Sequence, residues 1–190
     1  MNSIIGLIIL FLTILIMDKI MGWYKLRFER IRTQLDVLKV VSKHECFGKF
    51  KDSAQFERWT AKLLALKGFR IVEIMQSHKD SGKDMIVRNE FGQVVYVECK
   101  LADPENWDTP VDCTVARKLV GAMVGDGIKN GLIITTSIFS EEAKDYLHKV
   151  NHAGFQVKYL EGDALIREIY DLREVKLPEI LENLGIKLRK

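Results

Sequence analysis

Two apolar segments, Asp84-Met-Ile-Val87 and Val94-Val-Tyr-Val-Glu98-Cys-Lys100, are joined by Arg88-Asn-Glu-Phe-Gly-Gln93. The joining segment carries an Asn and a Gly, residues that suit a tight turn between paired strands, so residues 84–100 read as a β-hairpin. With the turn centred near Phe91, position 87 faces 95 and position 84 faces 98. Residues directly opposite in an antiparallel pair share one face. Side chains alternate along a strand, so Glu98 and Lys100 point one way and Cys99 the other. That register gathers Asp84, Glu98 and Lys100 on one patch, beside a face of Val95, Val97 and Cys99 with core character.

Two neighbouring carboxylates repel unless a cation or a proton lies between them. A hard divalent ion such as Mg²⁺ (or Mn²⁺) takes oxygen ligands. With a lysine alongside, the trio points to metal-assisted hydrolysis of a phosphate ester. Taken alone, the hairpin is better explained by a cross-strand ion pair.

The remaining pattern sets the fold class. Residues 56–66 read as a helix with the apolar stripe Phe56, Trp59, Leu63 and Leu66, stopped by Gly68. A strand at 69–75, a polar loop at 76–83 and the hairpin follow, then an irregular stretch with Pro104 and Pro110. Helices are expected at 112–124, capped by Asp112, from Ser140 to about Val150, and at 163–175. Strands at 131–136 and 154–160 separate them. The order αβββαβαβα predicts an α/β (α+β) domain with a mixed central sheet flanked by helices.

Residues 1–17 carry no charge, and 4–17 are almost continuously apolar. As a helix this run spans roughly 25 Å, near the ~30 Å hydrocarbon core of a bilayer. Ile20, Met21, Trp23 and Tyr24 extend it past Asp18-Lys19, with the aromatic pair suited to the interface. It lacks the basic start and small-residue cleavage site of a secretory signal. Residues 1–23 are therefore expected to be a single-pass transmembrane anchor in the lipid bilayer. Lys19, Lys25, Arg27, Arg30 and Arg32 follow it and predict a cytoplasmic body. Residues 24–49 read as a helical linker, with Leu26, Ile31, Leu35, Leu38 and Val41 near helical spacing.

The chain has 29 Lys and Arg against 26 Asp and Glu, a net charge of +3. The excess lies in residues 18–50, eight basic against four acidic, while residues 51–190 hold 21 against 22. A uniformly basic nucleic-acid-binding body is excluded, and such binding needs a local patch. Cys46, Cys99 and Cys113 fit neither a disulfide framework nor a zinc site. Cys99 reads as a small core residue. His148 and His152 have the spacing of a metal pair but no third ligand in view. Gly121, Gly125 and Gly127 come after a helix and before a strand, the wrong order for a phosphate loop.

Four ordered blocks carry a resemblance: Phe56-Glu57 opening a helix that ends in Leu64-x3-Gly68-Phe69; Asp80-Ser-Gly82-Lys-Asp84; Glu98-Cys-Lys100; and Gly131-Leu-Ile-Ile-Thr-Thr-Ser-x-Phe139-Ser140, with Ala143 beyond. A late Glu161-Gly-Asp-x-Leu165 joins them. This pattern resembles the Mrr-like restriction endonucleases, a branch of the PD-(D/E)xK nuclease superfamily. The family usually has Gln where this chain has Glu98, the acid of the wider superfamily.

The resemblance implies a restriction-endonuclease-like αβββαβ core over residues 50–170, with a C-terminal helical extension at 171–190. It implies that Asp84, Glu98 and the Cys99 carbonyl hold Mg²⁺. Lys100 would activate the attacking water and stabilise charge on the phosphate. Glu57 would assist from the first helix; as an exposed acid near a helix start it is otherwise ordinary dipole compensation. The implied substrate is foreign or modified DNA. Lys79, Lys83, Arg88, Arg117 and Lys118 are candidates for contact with its backbone, by charge and not by sequence. A homodimer would cut both strands, a monomer one. The alternative expectation is a membrane-tethered nucleic-acid-binding or scaffolding module that keeps the nuclease fold without cleavage.

Overall fold

The chain divides into two units, Met1–Asp36 and Val37–Lys190. The computed structural model describes residues 2–40, 42–75, 82–103 and 108–186, with side chains from residue 7 onward. From Asn2 the first unit is helical, within α1 (Asn2–Leu38). Asp18-Lys19 does not interrupt it, because both residues stay in register on a helix with no Pro or cap signal there. Leu7–Leu38 is long and apolar enough to cross a membrane by length and composition, and none of its apolar stretch is buried. The ring of Trp23 stands edge-on to Tyr24 at 5.1 Å. The Arg27 guanidinium lies 5.4 Å from the Trp23 centroid.

In the second unit the chain is packed from its first residues. Val37, Leu38 and Val40 are buried, and the Arg173 guanidinium donates to the carbonyls of Leu38 and Val40. The short helix α2 (Lys43–Phe47) is capped by the Ser42 hydroxyl and buries Cys46 and Phe47. The expected linker through residue 49 is thus a continuation of α1 followed by packed structure. Helix α3 (Ser53–Leu66) starts where the Asp52 carboxylate accepts from the Gln55 amide. Its stripe of Phe56, Trp59, Leu63 and Leu66 is buried as expected. Phe50, Phe56 and Trp59 form one aromatic cluster with centroids 5.4–6.1 Å apart.

Five strands follow in sheet order β1 (Arg70–Ile74), β2 (Met85–Arg88), β3 (Val94–Lys100), β4 (Asn130–Thr135), β5 (Gln156–Leu160). The first three are an antiparallel meander, and β3, β4 and β5 are parallel. The crossovers are α4 (Cys113–Gly125) and α5 (Glu141–His152), capped by Asp112 and Ser140. The mixed sheet and the element order agree with the expectation. Tyr96, Ile133 and Val157 pack with Ala116, Leu119, Met123 and Leu147 on the α4/α5 face. By alternation Met85, Val87, Val95, Val97 and Cys99 face the side that carries α3. Gly131 lets β4 pass α4, since a Cβ there would lie 2.7 Å from the Met123 sulfur.

Helix α6 (Gly162–Asn183) corrects the sequence reading, which stopped this helix at 175. Pro178 sits inside it and cannot donate a helical hydrogen bond. The helix continues because Ile180, beyond the proline, is buried. Its start rests on Gly162, where a Cβ would lie 2.3 Å from the Thr136 carbonyl oxygen. Glu161, just before, accepts from the Phe139 amide at 2.8 Å. The Glu161-Gly162 pair is therefore a packing joint between β4 and α6.

Candidate active site

The hairpin turn holds through Asn89, whose side-chain oxygen accepts from the amides of Phe91 and Gln93. Gly92 supplies the positive φ of 75° that the turn needs. Val87 pairs with Val95 as expected. That register runs without a shift to the end of the ladder, next to which Asp84 and Glu98 follow. Met85 opposes Val97, and the Asp84 amide donates to that same Val97 carbonyl at 2.8 Å. The Asp84 carboxylate reaches across to accept from the Cys99 amide at 2.6 Å, a short charge-assisted bond.

Glu98 and Lys100 share the α4 side of β3. They line a cleft of about 670 Å³ with Asp103, Asp112, Thr114 and Lys118. Lys100 is exposed and Glu98 half-buried. Its floor is held by the end of β4: the Lys100 carbonyl accepts from the Thr135 hydroxyl at 2.8 Å and from the Thr136 amide at 3.2 Å. The Ala102 amide donates to the Thr136 hydroxyl, and the Ser137 hydroxyl to the Thr109 carbonyl. Thr135, Thr136 and Ser137 are fully buried; they staple the exit of β3.

Glu57 approaches from α3. Burial, then the Asp84 charge, push its pKa up from 4.5 to about 7. Cys99 is buried, and its thiol is pushed well above its ordinary range by that burial and then by Asp84, with Glu57 and Glu98 adding. Three carboxylates thus act on one thiol. Among the described residues no three His, Cys, Asp or Glu side chains lie close enough together to hold a metal ion.

The proposed backbone-contacting cations are scattered. Lys118 lines the cleft. Lys83 does not: its ammonium bonds Asp126 at 2.8 Å. Arg117 bonds Glu142 on α5 at 2.8 Å and lies over the Tyr146 ring. Arg88 donates to the Gly92 carbonyl in the turn, four residues along the chain from Asp84, or ~13 Å of strand. Lys79 and Asp80 lie outside the described residues. His148 and His152 touch through their Nε2 atoms at 3.2 Å, away from any third ligand among the described residues. Sequence reasoning missed Tyr96 and Asp126, which contact Lys83 next to Asp84.

No curated protein matches this chain. Among solved structures it is similar to a protein of unknown function, AF1548, at 23% identity and a TM-score of 0.46. That match covers 62% of this chain and 62% of the other. The model of the Mrr catalytic domain, described as a restriction endonuclease, matches residues 51–169. This is well over half of the 190 residues and spans α3, the whole sheet and most of the first half of α6. The chain belongs to the Mrr-type restriction-endonuclease family.

Proposed function

We propose that this protein is a membrane-anchored, Mg²⁺-dependent endonuclease that hydrolyses DNA phosphodiester bonds and acts against foreign or modified DNA. One observation carries the catalytic reading: Glu98 and Lys100 open into one cleft while Asp84 is fixed on the intervening Cys99 amide. The donor chemistry fits a hard cation, since Asp84, Glu98 and the Cys99 carbonyl offer oxygen, and burial and then the Asp84 charge already push the Glu57 carboxyl up. Asp84, Glu98 and the Cys99 carbonyl would hold the ion. When bound it would neutralise phosphate charge and lower the pKa of a nearby water. Lys100 places its ammonium in the cleft, where it would hold the attacking water and stabilise charge on the phosphate. Glu57, with a pKa near 7, stands ready to exchange a proton at neutral pH.

A plasmid-nicking assay with Mg²⁺ tests this. Wild type is expected to cleave and to stop on chelation, and Asp84→Ala and Lys100→Ala to be inactive. Robust cleavage by both variants would sink the assignment. The second reading is a tethered, non-cleaving binding module. It is favoured by one observation: Lys83 and Arg117 are engaged with acids. Its signature is DNA binding with no cleavage by any of the three proteins.

The anchor reading rests on the exposed large apolar side chains of α1 between Leu7 and Phe28, which stand 43–73% exposed. In water such a surface is unfavourable; in lipid it is the solvent-matched face. Basic residues after the span support a cytoplasmic nuclease domain. The protein is expected in the membrane fraction, and deletion of residues 1–22 is expected to release it. Wild type found wholly in the soluble fraction would refute the anchor.

A further inference from the structure

Asp126 ends α4, its amide bonding the Ala122 and Val124 carbonyls. An acid there opposes the helix dipole, whose negative end it joins. Its placement is explained by what its carboxylate does. One oxygen, Oδ2, accepts from the Tyr96 hydroxyl at 2.7 Å and from the Lys83 ammonium at 2.8 Å. The same ammonium lies 4.2 Å from the centroid of the Tyr96 ring, a cation–π distance. The Lys83 side chain is only 11% exposed. Gly82, one residue earlier, is seated on α4, where a Cβ would lie 2.8 Å from the Lys118 carbonyl oxygen. Its φ of 72° turns the chain there.

Three elements therefore meet at one carboxylate: the segment entering β2, strand β3 two residues before Glu98, and the end of α4. Asp84 is the next residue after Lys83. We infer that Tyr96, Asp126 and Lys83 form a clamp that positions the Asp84 carboxylate on the Cys99 amide. Lys83 is then a positioning residue and not a contact to DNA. The inference rests on the nuclease reading for its consequence in cleavage, but not for its geometry.

The test uses the full chain in detergent, with Asp126→Ala and, independently, Tyr96→Phe. Hydrogen exchange reads the geometry: the Cys99 amide should exchange about 10-fold faster in Asp126→Ala, with β4 and β5 amides unchanged, as for losing one supporting contact. Kinetics read the consequence. The Mg²⁺ concentration for half-maximal cleavage should rise and kcat fall, together by ~10–100-fold, as for outer-shell partners of a ligand. The DNA KM should stay within about two-fold. Lys83→Arg should retain more activity than Lys83→Met. Unchanged Cys99 exchange in both variants overturns the clamp. So does a loss confined to DNA KM, which would make Lys83 a substrate contact. If wild type cleaves nothing with any divalent ion, the nuclease reading fails, and Cys99 exchange alone decides the clamp.

Discussion

The two helices that flank the sheet treat charge in opposite ways. On the α4 side cations meet anions: Lys83 with Asp126, Arg117 with Glu142. On the α3 side an acid meets an acid: burial, and then the charge of Asp84, push the Glu57 pKa up to about 7. The difference teaches where the molecule is finished and where it is not. Paired charges need nothing more. A raised carboxyl beside a second acid is relieved by a proton or a cation, and Asp84, which raises Glu57, borders the cleft that Glu98 and Lys100 line on the α4 side.

Removing the acid that creates the imbalance should have the largest effect. Asp84→Ala is expected to lower cleavage by at least ~10²–10⁴-fold, the scale for losing a proton-transfer or charge-stabilising group. The same substitution should return the Glu57 midpoint toward 4.5, read by NMR titration, because burial would then act with one repulsive neighbour fewer. A Glu57 midpoint unmoved by the loss of Asp84 would break the comparison at its root.

Next in size is the response to metal. Saturating Mg²⁺ at about 100 times its dissociation constant should stabilise the wild-type fold by about 2.7 kcal/mol in urea unfolding. The shift should vanish in Asp84→Ala and persist in Arg117→Ala. Equal stabilisation of all three proteins would mean that the ion binds elsewhere.

A smaller effect follows from pH. Glu57 is raised in the folded state, so the folded form holds its proton more tightly than the unfolded one. Its contribution to stability is fully present below 4.5 and is lost as pH rises through about 7. Between those values the urea midpoint of wild type should fall relative to that of Glu57→Gln. Parallel curves for the two proteins would show that Glu57 is not held in the repulsive field.

These contrasts also mark what the sequence could and could not disclose. The hairpin register was readable because Asn89 and Gly92 dictate a turn locally, and Val87 opposite Val95 follows from it. The caps Asp112 and Ser140 were readable for the same reason, being side chains that serve amides two or three residues away. The bond from the Cys99 amide to the Asp84 carboxylate was not, since it depends on side-chain placement at the strand end. The partner of Lys83 lies 43 residues along the chain, beyond any local rule. The passage of α6 through Pro178 was hidden likewise, because the burial of Ile180 overrides a local stop signal. Glu57 was nominated by resemblance; its coupling to Asp84 appears only once α3 is packed on the sheet.

The smallest expected effect tests the balanced side. Arg117 is 57% exposed in its side chain and Glu142 69% exposed, so their bond stabilises by ~0–1 kcal/mol at most. Arg117→Ala should leave the urea midpoint nearly unchanged. It should also leave the salt dependence of DNA binding unchanged, because a cation already facing Glu142 neutralises no phosphate. Each phosphate contact contributes about 0.9 to the slope of log affinity against log salt. Loss of roughly that amount in Arg117→Ala would show that Arg117 leaves Glu142 for DNA, and that the α4 side is a binding surface held in reserve by its own acids. An unchanged slope, with Lys118→Ala losing about 0.9, would confine DNA contact on α4 to the cleft that holds Glu98 and Lys100.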